Sequence, residues 1–381
     1  MHYFILANKD SYITEDSPSH IILYTDSKDR NYGGDEILEL KKEFANPYST
    51  SPTNVSRILT DFDLTSLSQL IANGEIDELG YSSSGSKCYL RYYEVEGQKE
   101  LNKSYTLLCA MVRQAETWEE GVGKHFDNPK TTNGVTWTDY KSGSSWEIIN
   151  SGLFDSGSRT GPGGGVWFRA KNYQSTQSFH NESADININI TRIVDAHMAG
   201  DTDNHGMILK YSGSYENDET PLNLKFFSKN THTIYAPKLE VKWDDSTHST
   251  GTLNQLTMSG EIENHIFIKG LQPTYRESEK VRFRLGCRKK YVQRTFTNSI
   301  YSSSFYVPEG SGSYSIVDVA TNTDIVPFSD YTKLSCDPTS MYFDQWMNAF
   351  EPGRYYKVLF KLKYNDGQEH IIDNDEEFKV I

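Results

Sequence analysis

Apolar and polar side chains alternate along residues 56–64 (SRILTDFDL) and again along 226–243 (FFSKNTHTIYAPKLEVKW), and both runs close in polar, turn-prone segments. A two-residue period puts the apolar set on one face of an extended chain, so both stretches read as half-buried antiparallel strands. The same reasoning places strands at 3–13, 21–24, 36–40, 87–96 and 105–112, with Asn31, Gly33 and Gly34 turning the chain before the third. Residues 63–70 (DLTSLSQL) read as a loop or a short helical turn. Farther on, 185–190 (DININI) alternates strictly. Ile190, Ile193, Val194 and His197 then recur at helical spacing, which predicts one short helix ended by Gly200 before 204–209 returns to strand. In between, 118–146 is rich in loops, and 151–165, Gly- and Ser-rich and ending in GPGGG, reads as a flexible surface loop.

Over 246–260 the composition turns small and polar, which marks a linker between a first domain at 1–245 and a second at 261–381. In the second, strand patterns recur at 262–271, 281–297, 301–307, 314–320, 331–336 and 356–364. Asp337 and Pro338 form an N-cap and first-turn pair, and Tyr342, Phe343, Trp346, Met347 and Phe350 share one helical face that Pro352 and Gly353 end. Asn365, Asp366 and Gly367 turn the last strand into a closing hairpin. Short strands at this spacing predict an immunoglobulin-like sandwich. The class is all-β, and no fixed-period repeat runs through the chain.

The bulk numbers agree. At 381 residues the chain has room for two or three cores. Only 36% of it is apolar, yet 13% is aromatic, with 25 Tyr and 18 Phe, which argues against disorder and for sandwiches whose outer faces are wet. A net charge of -14, from 52 acidic and 38 basic residues, opposes broad nucleic-acid binding and favours solubility. Cys88, Cys109, Cys287 and Cys336 are scattered, with no CxxC and no zinc spacing. Cys88 and Cys109 lie in neighbouring strand patterns and could face each other, but buried thiols of a reducing cytoplasm are the simpler reading. The opening MHYFILANKDSY lacks a basic segment and a cleavage site, so no secretory signal is expected. No stretch approaches the ~20 apolar residues of a membrane span.

Candidate chemistry is sparse. The ten His are dispersed, so no metal or other cofactor is expected. Asp201, Asp203 and His205 echo the start of a calcium loop, but Ser212 stands where a bidentate Glu is needed, and an ordinary acidic turn is preferred. No nucleophile elbow surrounds Ser144 or Ser311, and no carboxylate pair stands out, so the chain reads as no enzyme. Trp118, Trp137, Tyr140, Trp146 and Trp167 are candidates for a glycan platform. The preferred alternative is that they pack the rim of the sandwich, each Trp burying roughly 150–250 Å². Arg282, Arg284, Arg288, Lys289, Lys290 and Arg294 give one strand a basic face. That face reads either as a guard against edge pairing or as a docking face for an acidic neighbour, such as another copy of this chain.

The chain also resembles known proteins. The strands at 56–64 and 226–243, with DSYI at 10–13, NYGG at 31–34, GVTW at 134–137 and NHGMIL at 204–209, resemble the DNRLRE-type module, a carbohydrate-binding-module-like jelly roll. His197 and Met198, and long insertions within 114–183, depart from that pattern. Over nearly its whole length the chain resembles virion structural proteins of tailed bacteriophages of the marine-phage type. The segments carrying this are DEILEL (35–40), SRILTDFDLTSL (56–67), WEEGVGKHFDNPKTTNGVTW (118–137), KFFSKNTHTIYAPKLEVKWDD (225–245), YSIVDVATNTDIVPFSDYTKLSCD (314–337) and GRYYKVLFKL (353–362). The resemblance implies an N-terminal jelly-roll β-sandwich and a smaller immunoglobulin-like sandwich. It further implies a non-enzymatic accessory or docking component on the tail, baseplate, neck or capsid exterior, assembled in host cytoplasm. Its partners would be other virion proteins and further copies of itself, without nucleic acid or membrane. The alternative is a carbohydrate-binding adhesion module that takes polysaccharide.

Overall fold

The computed structural model describes residues 1–15, 28–44, 54–81, 85–96, 103–113, 116–147, 154–156, 163–181, 183–216, 218, 220–259, 263–291 and 305–381. The strand expected at 21–24, the far end of the basic strand including Arg294, and residues 151–153 and 157–162 of the Gly- and Ser-rich segment lie outside them. The described chain is all-β, and its two α-helices are eight residues each. It divides into two compact units, Ile5–Glu240 and Met1–Phe4 with Val241–Ile381.

The first unit is a two-sheet β-sandwich. Its larger sheet orders Gln174–His180, Ser104–Met111, Met207–Tyr211, Asn54–Asp61, Ile37–Glu43 and Leu222–Phe227, with Lys9–Thr14 also paired to Asn54–Asp61. The smaller sheet is formed in this unit by Lys87–Tyr92, Ile186–Asn189 and the portions of the strands His2–Leu6 and Lys238–Lys242 that fall within Ile5–Glu240, in the order His2–Leu6, Lys238–Lys242, Lys87–Tyr92, Ile186–Asn189. The inner faces meet where the Thr60 hydroxyl bonds the Tyr92 hydroxyl and the Tyr92 and Phe226 rings touch edge to face at 5.7 Å. The run at 226–243 divides between the sheets, its first residues closing Leu222–Phe227 and its last forming Lys238–Lys242. The expected half-burial of 56–64 is corrected: every residue of Asn54–Asp61 is buried, because its second face is covered as well. Residues 63–70 open a full helix, Thr65–Ala72, on an Asp63 side chain that accepts the Thr65 N–H at 2.9 Å. The helix Thr191–Met198 buries Ile193, Val194 and Ala196. Cys88 and Cys109 lie in different sheets, and all four cysteines are free and buried.

In the second unit, one sheet orders Asn264–Lys269, Lys280–Lys289, Met341–Trp346 and Ser335–Cys336. The other orders Thr274–Tyr275, Glu369–Val380, Tyr355–Lys363, Gly312–Asp318 and Thr323–Val326, the first pair parallel. This is the immunoglobulin arrangement of four strands against a sheet built on the last hairpin. Its tyrosine corner is present: the Tyr356 hydroxyl donates to the Glu351 carbonyl at 3.0 Å. Stacked rings fill the core, with Phe343 4.0 Å from Tyr314 and 4.9 Å from Phe283.

Two expectations fail here. The helix over Tyr342–Phe350 is instead the strand Met341–Trp346 followed by one 3-10 turn, Met347–Ala349. Asp337 does cap, accepting the N–H groups of Thr339 and Ser340 at 2.8 and 3.1 Å. It caps a turn, because the aromatic residues that follow gain more from pairing, Phe343 lying opposite Phe283 in the sheet. Of the segment at 246–260, read as a linker, the described residues 246–259 pack within this unit. Asn254–Gln255 pairs with Phe305–Tyr306, and Leu256 and Met258 are buried.

Candidate functional site

The outer face of the large sheet in the first unit carries Ile13, Leu59 and Ile208, which would be wet in a plain sandwich. A layer built from 116–147 and 163–168 covers them, and Trp118, Trp137, Tyr140, Trp146 and Trp167 form its core with Val135 and Val166. These five aromatics, candidates for a glycan platform with packing the preferred reading, are all buried. They present no ring to a sugar and act as packing, with Trp118 Nε1 donating to the His205 carbonyl at 3.0 Å and Trp146 Nε1 to the Thr136 carbonyl at 3.1 Å.

Charge is buried beneath them. Arg57 lies between the Trp137 and Trp167 rings, 4.9 and 5.0 Å from their centroids, and Lys210 lies 4.9 Å from Trp167. Glu216 joins both cations, at 3.0 Å to Arg57 and 2.8 Å to Lys210. Arg57 also donates to the Gly164 carbonyl. Gly164 holds φ at +78°, with no room for a side chain against Arg57 and Trp137. The expected surface loop at 151–165 therefore ends in buried backbone.

The layer is fixed to the sheet by Asn31. Its amide donates to the Glu120 and Val135 carbonyls at 2.7 and 2.8 Å, and its carbonyl oxygen accepts the N–H groups of Gly33 and Gly123. Gly33 passes so close to Glu120 that a Cβ would meet its carbonyl oxygen at 2.1 Å. From this anchor the chain runs out through Val122 and Phe126, which are 74% and 90% exposed. The loop is locked on both sides. The Arg30 guanidinium donates to the His125 and Asp127 carbonyls at 3.0 and 2.9 Å, and Asp35 accepts the His125 N–H at 3.1 Å. The Asp127 side chain accepts the Lys124 N–H at 2.9 Å and the Thr131 hydroxyl at 2.6 Å. A rigid loop that holds an aromatic ring in water has already met the ordering cost of a protein contact. Sequence reasoning reads 118–146 as a distinctive loop-rich stretch but singles out neither Val122 nor Phe126. The available signal was a lone Phe inside a polar stretch bounded by Gly123 and Pro129.

In the basic segment of the second unit, Arg282, Arg284 and Lys290 pair with carboxylates of the same chain. Lys280–Lys289 lies between two neighbours, so it guards no edge. Arg282 pairs with Asp344 at 2.8 Å, Arg284 with Asp337 at 2.5 Å and Lys290 with Glu263 at 2.5 Å. Both Arg282 and Arg284 also face the Tyr342 ring, at 4.2 and 5.2 Å. Arg288 donates to the Lys289 and Lys290 carbonyls, each at 3.2 Å, and Lys289 is half-buried. The acidic neighbours of this face include carboxylates of the same chain.

One half-buried aromatic group lies elsewhere. Tyr235 contacts Tyr93 at 5.3 Å and Phe227 at 5.4 Å, with Arg91 and Lys238 5.6 and 5.3 Å from the Tyr93 ring. Among the described residues no three His, Cys, Asp or Glu side chains converge to hold a metal ion, and no helix is long and apolar enough to cross a membrane. No protein-family model and no curated protein matches this chain.

Proposed function

We propose that this chain is a non-enzymatic structural component of a tailed-bacteriophage virion, a docking or accessory protein on the tail, baseplate, neck or capsid exterior. It is assembled in host cytoplasm and works through contacts with other virion proteins and with its own copies. The resemblance described above supplies the setting. The observation that carries the docking role is the locked loop with Phe126 and Val122 in water, since an aromatic anchor on a preorganised support is how protein interfaces concentrate their binding energy. The test is quantitative mass spectrometry on density-purified particles. The expected result is a fixed number of copies per particle that survives a high-salt wash, and absence from particles in cells that express the chain would overturn the reading.

A second reading, adhesion to polysaccharide, is favoured by the Tyr93, Phe227 and Tyr235 group, whose rings are partly open to solvent beside two cations. Titration with host-surface polysaccharide would show saturable binding that Tyr235→Ala weakens. Binding unchanged in that variant would count against it.

A further inference from the structure

The first unit contains a cleft of about 340 Å³. Val112 and Phe168 supply its apolar lining, and Arg113, Glu147, Asp201 and Asp203 its charge. Arg113 and Glu147 bond each other at 3.0 Å. Asp201 and Asp203 are both exposed, and they give the cleft a negative balance. Its volume falls at the small end of the ~300–1,000 Å³ of ligand clefts, a size suited to one side chain with its flanking backbone.

The chain itself carries a complementary shape. The tip of the locked loop is an apolar knob that sets the exposed Phe126 beside the exposed Lys124, with Arg30 bonded to the loop's carbonyls. The adjoining Asp127 turns its carboxylate back to the Lys124 N–H and the Thr131 hydroxyl, so Lys124 is the exposed cation next to the ring on a chain whose net charge is -14. Copies this acidic repel one another unless a contact matches opposite charges locally. We propose that the loop tip of one copy seats in this cleft of a second copy, with Phe126 against the half-buried Phe168 and Lys124 against Asp201 and Asp203. Knob and cleft are different surfaces, so the contact is heterologous and one copy can both give and receive it. This is how identical subunits build rings or stacks on a particle. The inference rests on the docking reading, but its test is separate: particle membership is read on purified particles, self-association on the isolated chain.

Sedimentation velocity on the full chain over a concentration series measures the contact. Wild type is expected to associate as concentration rises. Phe126→Ala, and separately the pair Asp201→Lys and Asp203→Lys, should each weaken association by about tenfold or more. The first variant keeps the cleft and the second keeps the tip, so a mixture of the two should form 1:1 complexes that neither forms alone. Circular dichroism and the thermal transition establish that each variant is folded. Wild type monomeric at every concentration, folded variants that associate as tightly as wild type, or a mixture that stays monomeric would overturn the proposal. The last outcome would leave the cleft to a small ligand instead.

Discussion

The side-chain amide of Asn374 donates to the main-chain carbonyl of Ile266 at 2.6 Å, across from one sheet of the second unit to the other. Two residues on, Glu376 accepts the main-chain N–H of Ile268 at 2.7 Å. The strands concerned, Glu369–Val380 and Asn264–Lys269, form no ladder with each other, so side chains supply the partners that a neighbouring strand would. The first unit uses the same device. Gln177 in Gln174–His180 accepts the N–H of Asn187 at 2.8 Å, here between the edge strands of its two sheets. Unpaired strand edges are templates for pairing with other chains, and these bridges occupy them.

Replacing Asn374 and Glu376 together with Ala removes both partners from the edge of Asn264–Lys269. Two lost hydrogen bonds cost about 1–3 kcal/mol. The more diagnostic effect is on solubility, because the freed main-chain groups can pair with another molecule. Light scattering during a thermal ramp should show aggregation beginning at lower temperature than in wild type. A variant with lowered stability and unchanged scattering would mean that the bridges only stabilise the fold.

Glu216 balances two buried cations. Burial works to raise its carboxyl, but Arg57 and Lys210 outweigh that and hold it below its ordinary range. Glu216→Gln leaves Arg57 and Lys210 enclosed by Trp137 and Trp167 without their shared anion, and removing one partner of a buried pair costs about 3–5 kcal/mol. Urea unfolding should show a midpoint lowered to match. Because the native carboxyl titrates below its unfolded value, its contribution is present above the ordinary value of 4.5 and is lost as pH falls through the lowered one.

Asp10 has the opposite sign. Its carboxylate accepts the Lys229 N–H at 2.7 Å, and its own N–H donates to Glu120 at 2.9 Å. Burial raises its carboxyl to about 7, with the nearby Glu120 charge adding to the rise and the Lys229 N–H opposing it. A raised native value means that the native state holds this proton more tightly than the unfolded chain does. The contribution is fully present below the ordinary value of 3.8 and is lost as pH rises through about 7. The shift corresponds to a total on the order of 4 kcal/mol. Asp10→Asn keeps an acceptor for Lys229 and cannot ionise. Denaturant midpoints measured from pH 4 to pH 9 should therefore fall for wild type and hold nearly level for the variant, with the gap widest at the alkaline end.

The period-two signal found most strands because each buries one face against a partner sheet. It misread 56–64, where the Trp layer buries the second face of the strand, and no local pattern tells that Arg57 is covered by Trp137, Gly164 and Trp167. The helical face through Tyr342 and Phe343 was a coincidence of spacing that the pairing with Phe283 overrode. The five aromatics are buried, which follows from their size, but they cover the outer face of the large sheet and not the rim of the sandwich. The charges at 282–290 were legible as a cluster. Their carboxylate partners at Asp337 and Asp344 were not, since a pair on neighbouring strands leaves no trace in sequence spacing. Phe126 was passed over for the reverse reason, as one apolar residue in a polar loop breaks no rule until the loop is seen to be rigid.

Tyr356 tests whether the second unit depends on its corner. The ring is buried among Phe350 and Phe378, at 4.7 and 6.0 Å, while its hydroxyl reaches back to the Glu351 carbonyl. Tyr356→Phe keeps the packing and deletes one hydrogen bond, leaving a carbonyl unpaired at the turn that enters Tyr355–Lys363. The expected loss is about 1–2 kcal/mol, and Tyr356→Ala should cost about 3–5 kcal/mol because it also opens a cavity. Thermal unfolding of the full chain followed by near-ultraviolet dichroism reads both changes. If Tyr356→Phe unfolds at the wild-type temperature, the hydroxyl contributes nothing and the corner is held by ring packing alone.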